Sequence, residues 1–168
     1  LYIRRGVALP GIAVGGGQEG GRRAGTEAVH QIVGMGAAAR LAADLTPMEQ
    51  ISKLRDRLES ELLRRVPNAF RNGAPGERLP NTANTSFAET NGESILALLD
   101  EAGICVSTGS ACNAETQEAS AVLKAMDIPY SRAMGSIRFS LGRFNTEEEV
   151  ERVVAATIDA VERLRKLS

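Results

Sequence analysis

Apolar residues recur at two different spacings along this chain, and each spacing marks a class of element. Steps of three and four connect Ile51, Leu54, Leu58 and Leu62, then Ile95, Leu96, Leu98 and Leu99, and finally Val150, Val153, Val154, Ile158, Val161 and Leu164, which predicts three amphipathic helices. Each opens with a threonine followed three residues later by glutamate: Thr46-Pro47-Met48-Glu49, with proline at the first helical position, Thr90-Asn91-Gly92-Glu93, and Thr146-Glu147-Glu148-Glu149. The first helix ends near Val66-Pro67 and the second at Gly103; the third carries Arg163, Arg165 and Lys166 where the helix dipole favours cations. The charged residues of the first, Lys53, Arg55, Asp56, Arg57, Glu59 and Glu61, read as a solvated face. A longer apolar-periodic helix with Val29, Ile32, Val33 and Ala37 precedes all three.

Between Asn68 and Glu89 the period changes to two: Arg71 to Leu79 is rich in turn residues, and Pro80 to Phe87 alternates as a strand does. Ser136-Ile137-Arg138-Phe139-Ser140-Leu141 alternates too, with Ile137, Phe139 and Leu141 on one face and Ser136, Arg138 and Ser140 on the other. Ile104-Cys105-Val106 reads as a short buried strand, with Cys105 a core residue, and a short helix of roughly 118–126 follows, burying Val122, Leu123 and Met126 before Ile128-Pro129. The fold class expected is α+β: a small sheet covered by helices over residues 45–168, joined near Leu45 to a glycine-rich lead-in and linking helix over 1–44.

Glycine density from Gly6 to Gly25 permits only loop there, and long loops in compact proteins tend to be functional. The loop ends Arg22-Arg23-Ala24-Gly25-Thr26, which places Thr26 as the N-cap of the linking helix. Amides, a hydroxyl and guanidinium groups at a helix start can receive a phosphate; the plainer alternative is a capped surface helix with a flexible lead-in. His30, the sole histidine, has no second histidine to share a metal with, so a packing or interface role is expected and no metal site is.

Composition narrows the function classes. The 168 residues are 43% hydrophobic and carry a net charge of −1, which gives no electrostatic grip on nucleic acid or an anionic membrane. No apolar run approaches the ~18 residues of a membrane-spanning helix, so a soluble, cytoplasmic protein is expected. Two cysteines, Cys105 and Cys112, are too few for a disulfide scaffold or a four-cysteine zinc site, and should be reduced thiols with separate tasks. The first residue is Leu1, and Leu1-Tyr2-Ile3-Arg4-Arg5 reads as a strand in progress, so the chain is expected to be the C-terminal portion of a larger fold.

Cys112 is the residue that calls for chemistry. It stands in Ser107-Thr108-Gly109-Ser110-Ala111-Cys112-Asn113-Ala114-Glu115, a run of small and polar residues, whereas free cysteine is usually buried. Arg138, flanked by serines on its own face of a strand, can offer a rigid two-pronged donor to a carboxylate; an ion pair on an edge strand would explain it equally.

Five blocks in order carry a resemblance: Leu1-Tyr-Ile-Arg-Arg-Gly6; Gly15-Gly-Gly-Gln-Glu19 running to Arg22-Arg-Ala-Gly-Thr26; Pro80-Asn-Thr-Ala-Asn-Thr-Ser-Phe87; Ser107-Thr-Gly-Ser-Ala-Cys112; and Gly135-Ser-Ile-Arg-Phe-Ser-Leu-Gly-Arg-Phe144. Together they resemble the C-terminal portion of cysteine desulfurases of the NifS/IscS type, pyridoxal-phosphate enzymes of the class V aminotransferase family. The resemblance implies the small C-terminal domain of a fold-type I enzyme, with a largely antiparallel sheet, and a remnant of the large α/β domain at the N-terminus. It implies that Cys112 is the catalytic cysteine, which takes sulfur from L-cysteine as a persulfide and releases alanine. Arg138 would bind the substrate carboxylate, and Thr26 would reach the phosphate of pyridoxal phosphate in the neighbouring subunit of a homodimer. The persulfide would pass to an iron–sulfur scaffold or another acceptor protein.

Several departures qualify the match. Gly20 stands where arginine is common, and Glu115-Thr-Gln-Glu-Ala119 replaces a glycine-, serine- and proline-bearing run, which bears on loop mobility and the choice of acceptor. The family's cofactor lysine and its aspartate, histidine and glutamine block are not among these residues; Lys53, Lys124 and Lys166 all fall on predicted helices. The isolated chain is therefore expected neither to hold pyridoxal phosphate covalently nor to turn over cysteine. Two rival readings are a selenocysteine lyase-like enzyme and a non-catalytic persulfide carrier or docking module.

Overall fold

Leu58 and Leu62 are withdrawn from solvent because the helix that carries them, α2 (Pro47–Arg65), lies over one face of a four-stranded sheet. The computed structural model describes residues 1–108 and 119–167, so the stretch from Gly109 to Glu118, with Cys112 in it, lies outside the described residues. Two units are distinguished, Leu1–Asp44 and Leu45–Ser168.

In the second unit α2 is followed by β1 (Ala69–Arg71), β2 (Thr82–Phe87), α3 (Gly92–Glu101), β3 (Ser107–Thr108), α4 (Ala121–Ala125), α5 (Tyr130–Met134), β4 (Ser136–Ser140) and α6 (Glu147–Leu167). The strands lie in the order β1-β2-β4-β3 and every neighbouring pair is antiparallel, which is the expected α+β class. The register sorts the side chains. Ala83 faces Phe139 and Thr85 faces Ile137, and these with Phe87 form the floor of the core; Leu54, Leu58 and Leu62 of α2, Ile95 and Leu99 of α3, and Val150, Val154 and Val161 of α6 complete it. On the opposite face Asn84 pairs with Arg138 and Ser86 with Ser136. The alternation expected for β4 is present, and it makes one face of the sheet apolar and the other polar.

Several boundaries differ from expectation. β3 starts at Ser107; Ile104 to Val106 is unpaired, and Cys105 is exposed rather than in the core. The run is apolar enough for a strand, but only Ser107 and Thr108 lie opposite β4. β1 falls partly in the stretch read as turns, since an isolated Ala-Phe-Arg carries no period. The short helix expected at roughly 118–126 is the shorter α4, which buries Leu123 but leaves Val122 and Met126 exposed, and the further helix α5 precedes β4.

Of the three threonine–glutamate boxes, only the last closes in both directions: Glu149 N donates to Thr146 Oγ1 at 3.2 Å and Thr146 N donates to Glu149 Oε2 at 3.1 Å. At α3 the cap is Asn91, whose Oδ1 accepts from Glu93 N and Ser94 N, while Thr90 Oγ1 turns back to donate to Phe87 O. At α2 Thr46 holds the N-cap position but makes no side-chain capping bond.

The charged face of α2 is not wholly solvated. Glu59 is 1% exposed and accepts from Arg71 Nε at 2.6 Å and from both terminal nitrogens of Arg78, at 2.8 and 2.5 Å. Arg55 is buried beside it, donating to Leu79 O at 2.8 Å. Periodicity could not show this, because a carboxylate can sit inside when two guanidinium groups meet it there.

In the first unit, residues 1–5 form no strand, and Ala13 and Arg23 share an isolated bridge. A short turn over Gln18–Gly21, with Glu19 and Gly20 at positive φ, interrupts the glycine-rich loop. Helix α1 (Val29–Ala42) follows, with Ala28 rather than Thr26 at its N-cap position. No residue of this unit is buried, and Val29, Ile32, Val33 and Met35 are exposed.

Candidate active site on the polar face of the sheet

Arg138 stands in the middle of β4, an interior strand, so the edge-strand explanation for it falls away. Its cross-strand neighbours are Asn84 of β2 on one side and Ser107 of β3 on the other. All three therefore share the polar face. The side chain is exposed and its guanidinium forms no hydrogen bond or ion pair among the described residues. A planar, permanently charged group held by a strand and uncommitted to any carboxylate of the fold is suited to bind one from outside.

A buried polar network braces this face. Asn72 Nδ2 lies 2.7 Å from Asn84 Oδ1, 2.6 Å from Ser86 Oγ and 3.2 Å from Ser136 Oγ, and the two serine hydroxyls are hydrogen-bonded at 2.8 Å. Arg132 Nη2 donates to Asn72 Oδ1 at 2.9 Å and to Arg71 O at 2.6 Å, with its guanidinium 4.7 Å from the Phe70 ring centre. The network thus connects the loop after β1, strands β2 and β4, and α5, and it fixes the strand in which Arg138 sits. Gly135 makes the close approach possible: a Cβ there would lie 2.2 Å from Phe87 O. Sequence reading missed Asn72, Asn84 and Arg132 as partners of this strand. Alternation places Asn84 on a polar face, but only the strand order puts it beside Arg138.

β3, paired to β4, is also the strand from which the chain runs on to Cys112, four residues past Thr108. Arg138 and the base of the cysteine segment are thus brought side by side. Thr26 belongs to the other unit, where Arg23 Nη1 donates to Thr26 O at 2.5 Å and to Gly25 O at 3.1 Å. The Thr26 hydroxyl makes no hydrogen bond among the described residues, which leaves a donor and an arginine at one exposed turn. His30 is exposed on α1.

Comparison with known proteins decides the family. Residues 14–153 match the class-V aminotransferase family. The chain belongs to that family. It is 48% identical over 170 residues to the cysteine desulfurase NifS of Azotobacter vinelandii, a match that takes in 100% of this chain and 42% of that protein. A solved NifS-like protein superposes with a TM-score of 0.83 at 35% identity, over 96% of this chain and 41% of its own. The NifS-like protein of Rickettsia africae gives 0.80 at 32% identity, over 93% and 41%. The chain therefore spans less than half the length of the curated relatives it matches.

Class-V aminotransferases depend on pyridoxal phosphate, and the residues present fit one end of that cofactor. The exposed Thr26 hydroxyl beside Arg23 suits a phosphate. The covalent end has no match: Lys53 is ion-paired with Glu49 at 2.7 Å, and Lys53, Lys124 and Lys166 are all exposed, whereas a cofactor lysine needs a desolvated site that favours its neutral form.

Proposed function

We propose that this chain forms the C-terminal part of a homodimeric, cytoplasmic, pyridoxal-phosphate-dependent cysteine desulfurase that converts L-cysteine to L-alanine and passes sulfur to an iron–sulfur scaffold or another acceptor. The single observation that carries the reading is the register of β3 on β4, which sets an uncommitted arginine next to the strand leading to Cys112. Arg138 binds the substrate carboxylate through paired hydrogen bonds, and the braced strand holds it without further ordering. The Cys112 thiolate attacks the sulfur of the bound cysteine. An S–S bond forms as the substrate's carbon–sulfur bond breaks, and the carbon keeps the electron pair and takes a proton to give alanine. Bound pyridoxal phosphate supplies the electron sink that makes this cleavage possible. Thr26, with Arg23 beside it, holds the phosphate of the cofactor in the neighbouring subunit, and the covalent lysine comes from the remainder of the enzyme.

The domain assignment follows the same reading: residues 1–44 end the large cofactor-binding domain and 45–168 form the small domain. Arg138→Ala in the full-length enzyme is expected to raise KM for L-cysteine about tenfold to a hundredfold, with kcat changed less, since charged hydrogen bonds are each worth roughly 1.5–3 kcal/mol. Arg138→Lys should recover part of the loss, because a point charge cannot reproduce the fork. An unchanged KM would make Arg138 a structural residue. Faster turnover of selenocysteine than of cysteine would reassign the enzyme as a selenocysteine lyase.

A further inference from the structure

We propose that Asn84 is a second substrate-binding residue beside Arg138, its side-chain amide donating to the same carboxylate; this rests on the reading of Arg138 as the carboxylate-binding group. The reason lies in how the protons of the buried network must be assigned. A guanidinium can only donate, so the Asn72 atom that faces Arg132 Nη2 at 2.9 Å is the carbonyl oxygen. The other end of that amide is then its nitrogen, which also only donates, and the Asn84 atom 2.7 Å from it must be an oxygen. The rest of the circuit agrees: Asn72 Nδ2 has a second proton for Ser86 Oγ at 2.6 Å, Ser86 can donate to Ser136 Oγ at 2.8 Å, and Ser136 Oγ donates to Arg132 O at 3.3 Å. Turning over either asparagine would set two donors face to face. Asn72 is buried, and its backbone N also donates to Asn84 O at 2.9 Å, so the pair is joined through main chain and side chain alike.

With its oxygen committed to Asn72, Asn84 has its Nδ2 left to offer, and that nitrogen makes no hydrogen bond among the described residues. Asn84 is half-buried and lies directly across from Arg138, which sets the two Cβ atoms about 5 Å apart on the polar face. Ser107, the neighbour on the other side of Arg138, has its hydroxyl donated to Thr108 O at 3.1 Å. A carboxylate offers about four acceptor positions, and the two prongs of a guanidinium fill two of them. An amide N–H from the adjacent strand suits a third. The neutrality of the residue matters as well. An aspartate at this position would pair with Arg138, whereas asparagine adds a donor and leaves the arginine's charge for a ligand.

The test uses the full-length enzyme with Asn84→Ala, Asn84→Asp and Arg138→Ala, reading KM and kcat for L-cysteine, Tm, and the inhibition constant of cysteamine, which has the thiol and amine of cysteine but no carboxylate. Asn84→Ala should raise KM about tenfold with kcat within about threefold, because one hydrogen bond to a charged group is lost. Asn84→Asp keeps the shape and the acceptor that Asn72 needs, so it should melt as the parent does. It should nevertheless raise KM about a hundredfold, since it gives Arg138 a partner and meets the substrate with a like charge. Inhibition by cysteamine should stay within about twofold of the parent in both Asn84 variants. An unchanged KM in both, an aspartate variant no worse than the alanine variant, or cysteamine weakened as much as L-cysteine would overturn the proposal while leaving Arg138 in its role. An unchanged KM in Arg138→Ala would instead end the carboxylate reading, and this proposal with it.

Discussion

Cys112→Ser in the full-length enzyme is expected to remove alanine formation from L-cysteine, lowering kcat about a thousandfold or more, while the visible absorption of bound cofactor is kept. Serine is nearly the same size, so folding should be untouched and the loss can be assigned to chemistry. The reason lies in the ionisation and softness of sulfur. A thiol with a pKa near 8.5 is already a few per cent thiolate at neutral pH, whereas a serine hydroxyl supplies essentially no alkoxide and forms no stable bond to a second sulfur. Cofactor binding should survive because Cys112 belongs to none of the groups that suit the phosphate. Retention of more than about a tenth of the parent rate would remove Cys112 from the reaction.

The second large effect concerns stability. Glu59→Ala should destabilise the fold by about 3 kcal/mol in urea or thermal unfolding, because it leaves Arg71 and Arg78 facing a vacated, largely buried site. Arg71 is 32% exposed and Arg78 17%, so both can regain some water, which places the loss at the lower end for a broken buried pair. Burial alone would push the Glu59 carboxyl up, but the hydrogen bonds from Arg78 and Arg71 outweigh it and hold the group below its ordinary range. The sign for pH follows: a depressed carboxyl stabilises the fold above its unfolded pKa, about 4.3, and this contribution is lost as pH falls through the depressed folded value. Glu59→Gln should therefore flatten the acid limb of the stability curve below about pH 5 relative to the parent. Equal acid slopes in parent and variant would show that Glu59 contributes no pH-dependent stability.

Much of this architecture was legible in the chain because the signals were local. Ile51, Leu54, Leu58 and Leu62 name both a helix and its buried side, and Ile137 and Phe139 on one side of Arg138 name a strand and its core face. What failed was non-local. Glu59 looks like any solvent-facing glutamate until Arg71 and Arg78 are folded onto it. Cys105 belongs to an apolar run, yet that run ends outside the ladder and exposes the thiol. Thr26 has the residue type and glycine lead-in of an N-cap, but the N-cap position falls two residues later, at Ala28, and the helix starts at Val29. The candidate site divides in the same way: Arg138 could be named from its strand, whereas Asn72, Asn84 and Arg132 gain their meaning only from strand order and the placing of α5.

Sulfur from L-cysteine should be taken up on Cys112 only when the rest of the enzyme is present, and peptide mass spectrometry after incubation with L-cysteine and pyridoxal phosphate reads this out. The full-length enzyme should show a gain of about 32 Da on the peptide containing Cys112, removed by a thiol reductant and absent from Cys112→Ser, while the 168-residue chain alone shows none. The same gain on the isolated chain, or on Cys105 in place of Cys112, would contradict it.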